Sequence, residues 1–119
     1  MTNKLLVGIV GTHSFNDYNF FKTKLLEILP KDREITIISG GSSYSHTLAE
    51  KFGKENDYNL QIFHPNWNLN GKIAGLIRNK DIISSSDIII AFWDGKSPGT
   101  KSSINLALKF KKELHIVSY

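Results

Sequence analysis

Five short runs of apolar residues recur along this 119-residue sequence, and a stretch with helical periodicity separates each run from the next. A continuous apolar run without polar alternation is typical of a strand that is buried on both faces of a parallel sheet. The fourth run is the clearest, because branched residues follow one another and a turn signal comes after them. The predicted strands are residues 5–10, 35–38, 60–63, 87–92 and 114–117.

Between the strands, apolar residues recur every three or four positions, as in helices that each cover a sheet with one face. Asp17 is suited to cap the first helix, and Pro30 ends it. The predicted apolar faces are Tyr18, Phe21, Leu25 and Ile28; Leu48, Ala49 and Phe52; Ile73, Ala74, Ile77, Ile82 and Ile83; and Ile104, Ala107 and Leu108. Residues 64–71 are predicted to form a longer loop.

Strict alternation of strands and helices predicts an α/β fold, because parallel neighbours need right-handed helical crossovers. We expect a single Rossmann-like, doubly wound domain with a five-stranded, mainly parallel sheet and four helices. The length suits one hydrophobic core, and no linker or repeat divides the chain, so residues 1–119 are predicted to be one domain. If the first and fourth strands are central neighbours, ligands bind outside their carboxyl ends.

Composition excludes several classes of function. The chain has no cysteine, which excludes disulfides, thiolate nucleophiles and cysteine metal sites. The four histidines show no metal-ligand spacing, and we predict neither a metal nor a cofactor. No apolar segment is long enough to span a bilayer, and the amino-terminal residues lack a signal-peptide pattern, so we expect no membrane and a cytoplasmic location. The net charge of +4 is modest and spread along the chain, which makes nucleic acid an unlikely partner.

Three predicted strand-to-helix loops are rich in glycine and hydroxyl side chains, and a parallel sheet brings all three to one edge. Glycine lets the backbone approach a ligand, hydroxyls donate to phosphate oxygens, and a helix amino terminus presents free amides. For any one loop a tight turn is an equally good explanation, but three coinciding loops favour phosphate binding. The candidate ligand-binding residues here are Gly11, Thr12 and His13; Gly40, Gly41, Ser42 and Tyr44; and Ser97, Gly99 and Thr100.

Arg78 and Asn79 are candidates in the helix before the fourth strand. A guanidinium can bind phosphate through two parallel hydrogen bonds, and the neighbouring amide can fix a loop or contact a base edge. The alternative for Arg78 is a surface ion pair with Asp81 or Asp87.

Trp67, Trp93 and Asp94 complete the candidate site. Each indole can stack on a base or simply pack in the core or a lid, and these interpretations stay equally open. Asp94, directly after the fourth strand, can contact a ribose hydroxyl or cap its own loop.

The glycine patterns of the usual dinucleotide and Walker A sites are absent. The second strand also ends in Ser39 and Gly40, where an acidic residue would hold a ribose diol. The sequence therefore does not indicate NAD-dependent hydride transfer or the usual ATP hydrolysis.

The sequence resembles the SLOG superfamily of Rossmann-like nucleotide-binding proteins, in its small stand-alone bacterial and phage branch. The resemblance spans nearly the whole chain. It lies in GTHSF at 11–15, SGG at 39–41, Trp67 with Gly71, AGLIRN at 74–79 and AFWDGKSPGT at 91–100, of which the last two are the most specific. It implies a nucleotide-related ligand at Gly99 and Thr100, with Arg78 and Asn79 nearby.

Two departures from the SLOG pattern bear on activity. Enzymatic relatives, such as the Lonely Guy phosphoribohydrolases, carry a glutamate shortly after the Gly-Thr pair, where this chain has Ser103. Relatives of the small branch follow the second glycine loop with Gly-Ala-Asp, where this chain has Tyr44, Ser45 and His46. The role of that acidic residue in relatives does not carry over here.

We therefore expect a module that senses or sequesters a phosphorylated nucleotide or a nucleotide-derived signalling molecule, as sensor domains of bacterial defence systems in this superfamily do. A second hypothesis is a hydrolase that cleaves an N-glycosidic or phosphate bond with Asp94, His46 or His13 as acid or base, and the missing glutamate counts against it. A third is a nucleic-acid accessory protein, by analogy with DNA-processing members. We also expect a homo-oligomer that assembles through exposed helices.

Overall fold

The structure is a computed structural model that describes residues 4–11, 15–40, 44–64 and 66–119, without the side chains of residues 44–47, 67 and 72. The strands are β1 (Lys4–Gly11), β2 (Glu34–Gly40), β3 (Asn59–Phe63), β4 (Ile88–Trp93) and β5 (Glu113–Ser118). The helices are α1 (Tyr18–Ile28), α2 (Tyr44–Glu55), α3 (Trp67–Asn70), α4 (Ala74–Ser85) and α5 (Pro98–Lys109), with a 3₁₀ turn over Gly71–Ile73.

The five strands form one sheet in the order β3-β2-β1-β4-β5, and every pair is parallel. This confirms the predicted α/β class and Rossmann-like architecture. The sheet is fully rather than mainly parallel, and α3 is a short helix beyond the four expected. The connection through α4 carries the chain from β3 past β2 and β1 to β4, so the strand order reverses between β1 and β4. Ligands of open α/β sheets bind at the carboxyl ends of such a strand pair.

Two hydrophobic clusters cover the two faces of the sheet. The cluster beneath α1 and α2 contains a group of stacked aromatic rings, with the Phe92 ring on Phe15 at 5.2 Å and on Phe21 at 4.8 Å between centroids. The cluster beneath α4 and α5 is aliphatic and includes Ile83 and Ile104. Because β1 and β4 lie between the clusters, they are buried on both faces, which explains their uninterrupted apolar sequence.

The local signals at α1 act as predicted. The carboxylate of Asp17 accepts a hydrogen bond from the backbone N–H of Phe20 at 3.2 Å, and the helix ends at Ile28, just before Pro30. The predicted loop over 64–71 is only partly a loop, because α3 and the 3₁₀ turn begin within it. Asn66 caps α3 by accepting from the backbone N–H of Leu69 at 3.0 Å.

Two predicted core residues are exposed. Leu108 lies about a quarter turn from the centre of the buried stripe of α5, and its side chain is 60% exposed. Ile73 ends the 3₁₀ turn rather than lying within a continuous helix, and it is 55% exposed. The buried stripe of α5 instead contains the hydroxyl residues Thr100 and Ser103.

The end of α4 fits closely against β1. A Cβ at Gly8 would overlap Ser86 Oγ and would lie only 3.0 Å from a methyl group of Ile89. Ser86 Oγ itself donates to the carbonyl of Ile82 at 2.7 Å, so it is held in place. The absence of a side chain at Gly8 therefore sets how closely α4 approaches the sheet. In the described part of the chain, no helix is both long and apolar enough to cross a membrane.

Candidate functional site

The candidate site lies at the carboxyl edge of the sheet, where the three central strands end at Gly11, Gly40 and Trp93. Gly11 is paired in register with Phe92, so the ends of β1 and β4 lie side by side. Four of the predicted site residues, Thr12, His13, Gly41 and Ser42, lie outside the described residues, as do the side chains of Tyr44 and Trp67. The backbones of Tyr44 and Trp67 begin α2 and α3.

Arg78 packs its guanidinium against the last residue of β2. A Cβ built at Gly40 would lie 2.6 Å from Arg78 Cζ and still closer to Nη1, so only glycine leaves room for the guanidinium. Arg78 Nε donates to the side-chain oxygen of Asn79 at 2.8 Å. This contact assigns Asn79 a positioning role, because it orients the guanidinium plane.

One nitrogen of the Arg78 guanidinium differs from Nε in its surroundings. Its Nη1 atom is buried and has no hydrogen-bond partner among the described residues. Burial lowers the pKa of this guanidinium, although an arginine remains charged at any physiological pH. A buried donor without an acceptor costs about 1–3 kcal/mol, so an anion that reached this group would remove an existing penalty.

The predicted ion-pair alternatives for Arg78 are not formed within the described ranges. The Asp87 carboxylate accepts from the backbone N–H of Leu6 at 2.9 Å, and the Asp87 N–H donates to the Leu6 carbonyl at 2.7 Å. Asp87 therefore ties the start of β4 to β1, and Asp81 is exposed on α4.

The amino terminus of α5 is the second element of the site. The sequence predicted a loop through Thr100, but α5 begins at Pro98, so Gly99 and Thr100 lie in its first turn. The N-cap residue Ser97 makes no side-chain capping hydrogen bond, and a Cβ added at Gly99 would meet no atom within 4 Å. The space on the side-chain side of Gly99 is therefore open, and the first turn carries the positive end of the helix dipole.

Two hydroxyl groups stand beside these amides. Thr100 is only 4% exposed, and its Oγ1 lies 3.4 Å from Ser97 Oγ. Hydroxyls beside a helix amino terminus are suited to donate to phosphate oxygens.

Trp93 and Asp94 hold the loop that precedes α5. One carboxylate oxygen of Asp94 accepts from the backbone N–H groups of Lys96 and Ser97, each at 2.8 Å. The Trp93 indole N–H donates to the Ser97 carbonyl at 3.0 Å, and its ring packs against the aliphatic cluster. Both residues thus perform the structural role considered for them, and a contact of either with ligand remains a prediction.

Ser103 is buried within the helix. Its side chain is 1% exposed, and its Oγ donates to the carbonyl of Gly99 at 3.3 Å. Ser103, which the SLOG resemblance would align with a catalytic glutamate, is therefore a small hydroxyl residue that is bonded to the helix backbone.

The two elements are separated by the width of the central strand. Neighbouring strands lie about 4.8 Å apart, so the ends of β2 and β4 are roughly 10 Å apart, with β1 between them. One small molecule of nucleotide size can therefore contact Arg78 at one end and the start of α5 at the other.

Comparison with protein-family models, with curated proteins and with solved structures found no match to this chain. The resemblance to the SLOG superfamily therefore rests on the motifs quoted above and stays a prediction. Within the described ranges, no group of three or more His, Asp and Glu side chains is placed to hold a metal ion.

Proposed function

We propose that this protein binds a phosphorylated nucleotide or nucleotide derivative at the carboxyl ends of β1, β2 and β4, and that it senses or sequesters this molecule. The observation that carries the proposal is the Arg78 guanidinium, held against Gly40 with its buried Nη1 unpartnered among the described residues. An arginine that is desolvated and oriented before a ligand arrives favours a phosphate over a neutral molecule.

Three further features support this proposal. The amino terminus of α5 offers first-turn amides that the Ser97 side chain does not cap, and the hydroxyls of Ser97 and Thr100, for a second anionic group. The site lies at the switch point of the strand order, where open α/β sheets bind ligands. The resemblance of segments 74–79 and 91–100 to the SLOG superfamily indicates a nucleotide among phosphorylated compounds.

Binding without turnover fits these residues better than hydrolysis. Cleavage of an N-glycosidic bond needs a positioned acid, base or nucleophile, and Ser103 is a buried hydroxyl bonded to the helix backbone. Asp94 is the best remaining acid or base, but one of its oxygens already accepts two loop amides. We therefore propose that the ligand leaves the site chemically intact.

The binding test compares substitutions at the two arginines of the chain. Titration calorimetry with nucleoside mono-, di- and triphosphates, cyclic nucleotides and ribose phosphates identifies the best ligand. Arg78→Ala should then weaken affinity by about 10- to 100-fold, which is the equivalent of a hydrogen bond to a charged group. Arg78→Lys should weaken it less, because lysine keeps the charge but not the two parallel N–H donors.

Arg33→Ala is the matched control, because Arg33 lies at the opposite edge of the sheet and donates to the Lys4 carbonyl. It should leave affinity unchanged. Equal and small losses for both Arg78 variants, with intact circular dichroism, would contradict the proposed site.

A turnover test separates binding from hydrolysis. The bound nucleotide is incubated with the protein for a long period and is then analysed by chromatography for free base, ribose phosphate or cleaved phosphodiester. We expect only the intact nucleotide. Product formation that disappears in Asp94→Asn would replace the binding proposal with the hydrolase hypothesis.

A further inference from the structure

The outer edge of β5 is a regular strand edge that the described chain leaves uncovered. β5 pairs with β4 through six consecutive positions, from Ile88↔Glu113 to Trp93↔Ser118, and no bulge interrupts them. Lysine, proline and bulges commonly block such edges, and β5 contains neither residue type. Every second residue of β5 therefore presents its N–H and C=O outward.

The two edges of the sheet differ in their side chains. The exposed residues of β3, the other edge strand, include the polar Asn59 and Gln61. The exposed residues of β5 are Glu113, Ile116 and Ser118, and the apolar Ile116 is 47% exposed. Val117 belongs to the cluster beneath α1, and Leu114 packs against the cluster beneath α5, so the alternation of the strand places Ile116 on the α5 face of the sheet.

A groove of about 490 Å³ runs between α1 and this edge. It is lined by Lys24, Glu27 and Ile28 of α1 and by residues 114–118 of β5, a span whose middle residue is Ile116. Lys24 Nζ and Glu27 Oε2 are 3.6 Å apart on the wall of the groove. The wall therefore carries one positive and one negative charge, side by side along the helix.

We propose that β5 pairs antiparallel with β5 of a second copy of this chain, around a two-fold axis at Ile116, so that the two sheets become one continuous sheet. A two-fold interface must be complementary to itself. With the axis at Ile116, the isoleucine faces its own copy on the α5 face. On the α1 face, the rotation places Lys24 opposite Glu27 of the second copy.

The charges select this occupant over an unrelated peptide. A wholly acidic segment would be repelled by Glu27, and a wholly basic segment by Lys24, whereas a rotated copy matches both charges. The apolar side chain beyond the edge is likewise matched by its own copy. The assembly thus uses a strand edge rather than the exposed helices that the sequence suggested.

The test exploits the absence of cysteine from the chain. Directly opposed residues in antiparallel strands have Cα atoms about 4.5–5.5 Å apart, which is within the range that a disulfide bridges. Ile116→Cys should therefore give a covalent dimer under mild oxidation, about tenfold faster than Gln61→Cys, a matched single cysteine on the other edge strand. Non-reducing electrophoresis measures both rates.

Light scattering on the cysteine-free protein gives the second measurement. We expect a dimer whose dissociation constant rises by at least about tenfold in Ile116→Lys, with unchanged circular dichroism, because the substitution places two lysines at the axis. A monomer at all concentrations would overturn the proposal. A dimer in which Ile116→Cys crosslinks no faster than Gln61→Cys would also overturn it, since the interface would then lie elsewhere.

Discussion

Replacement of Gly40 by alanine should weaken ligand binding while it leaves the fold intact. The added Cβ would lie 2.6 Å from Arg78 Cζ, closer to Nη1 and 3.0 Å from Nε. All three atoms belong to the end of a flexible side chain, so the guanidinium moves and β2 does not. Gly40 does not have a positive φ, so alanine is free of backbone strain there.

The effect on stability is expected to be small because two contributions oppose each other. Displacing the guanidinium breaks the hydrogen bond from Arg78 Nε to Asn79, which contributes about 1 kcal/mol. Alanine in place of glycine within a strand contributes about 0.5–1 kcal/mol in the other direction. The free energy of unfolding should therefore change by less than about 1 kcal/mol, whereas affinity for the anion falls by about tenfold or more.

A double-mutant cycle isolates the contact between Gly40 and Arg78. In the Arg78→Ala background the clash no longer exists, so Gly40→Ala should leave the residual affinity unchanged and raise the free energy of unfolding by about 0.5–1 kcal/mol. Calorimetry measures the affinity and urea titration the stability. Losses of affinity that simply add across the cycle would refute the reasoning, because they would mean that the two residues act independently.

Two further predictions concern packing and pH. Gly8→Ala should lower the free energy of unfolding by about 1–3 kcal/mol in urea titration, because its Cβ overlaps Ser86 Oγ in a tightly packed region, and Ser86→Ala added to it should recover part of the loss. The Tyr18 hydroxyl donates to the Glu55 carboxylate and lowers the pKa of that carboxyl. The stability that this hydrogen bond contributes is complete above the usual glutamate pKa and is lost as pH falls through the lowered pKa. Urea midpoints of Tyr18→Phe should therefore fall less steeply than those of the unsubstituted protein between neutral pH and about pH 3, and parallel profiles would contradict this assignment.

The strands could be predicted from the sequence because burial on both faces leaves an unbroken apolar run. β4 was predicted over 87–92 and spans Ile88–Trp93, and β5 extends only one residue beyond each predicted end. The ends shift because flanking polar residues such as Glu113 join the ladder through their backbones alone. A pattern of hydrophobic residues cannot identify such polar residues as part of a strand.

Helical detail was harder to predict where polar residues determine it. Asn66 caps a helix inside the predicted loop. This helix was not predicted, because the glycine and asparagine residues of the segment are also typical of a loop. Thr100 and Ser103 lie on the buried stripe of α5, yet as hydroxyl residues they do not appear in a pattern of apolar spacing. Leu108 was placed in the core for the opposite reason, since it is apolar and close to the stripe.

The candidate site was only partly accessible from sequence. Arg78 could be singled out from its chemistry, and the glycine-rich loops could be assigned to one edge from the parallel topology. The contact between Arg78 and Gly40 could not be predicted, because it depends on how α4 crosses the sheet to bring two distant residues together. The intramolecular partners of Asp94 and Trp93 likewise follow from the local loop conformation.

The distribution of aromatic residues gives this protein an optical reporter at one edge of its sheet. The chain has two tryptophans: Trp93 ends β4 and donates its indole N–H to the loop before α5, and Trp67 begins α3, shortly after β3 ends. The aromatic members of the cluster beneath α1 and α2 are phenylalanines and tyrosines. Because an amphipathic indole responds to changes in its polar surroundings, tryptophan emission should follow events at the carboxyl edge in the unlabelled chain. Near-ultraviolet dichroism additionally reports on the packing of the phenylalanine and tyrosine rings beneath α1 and α2.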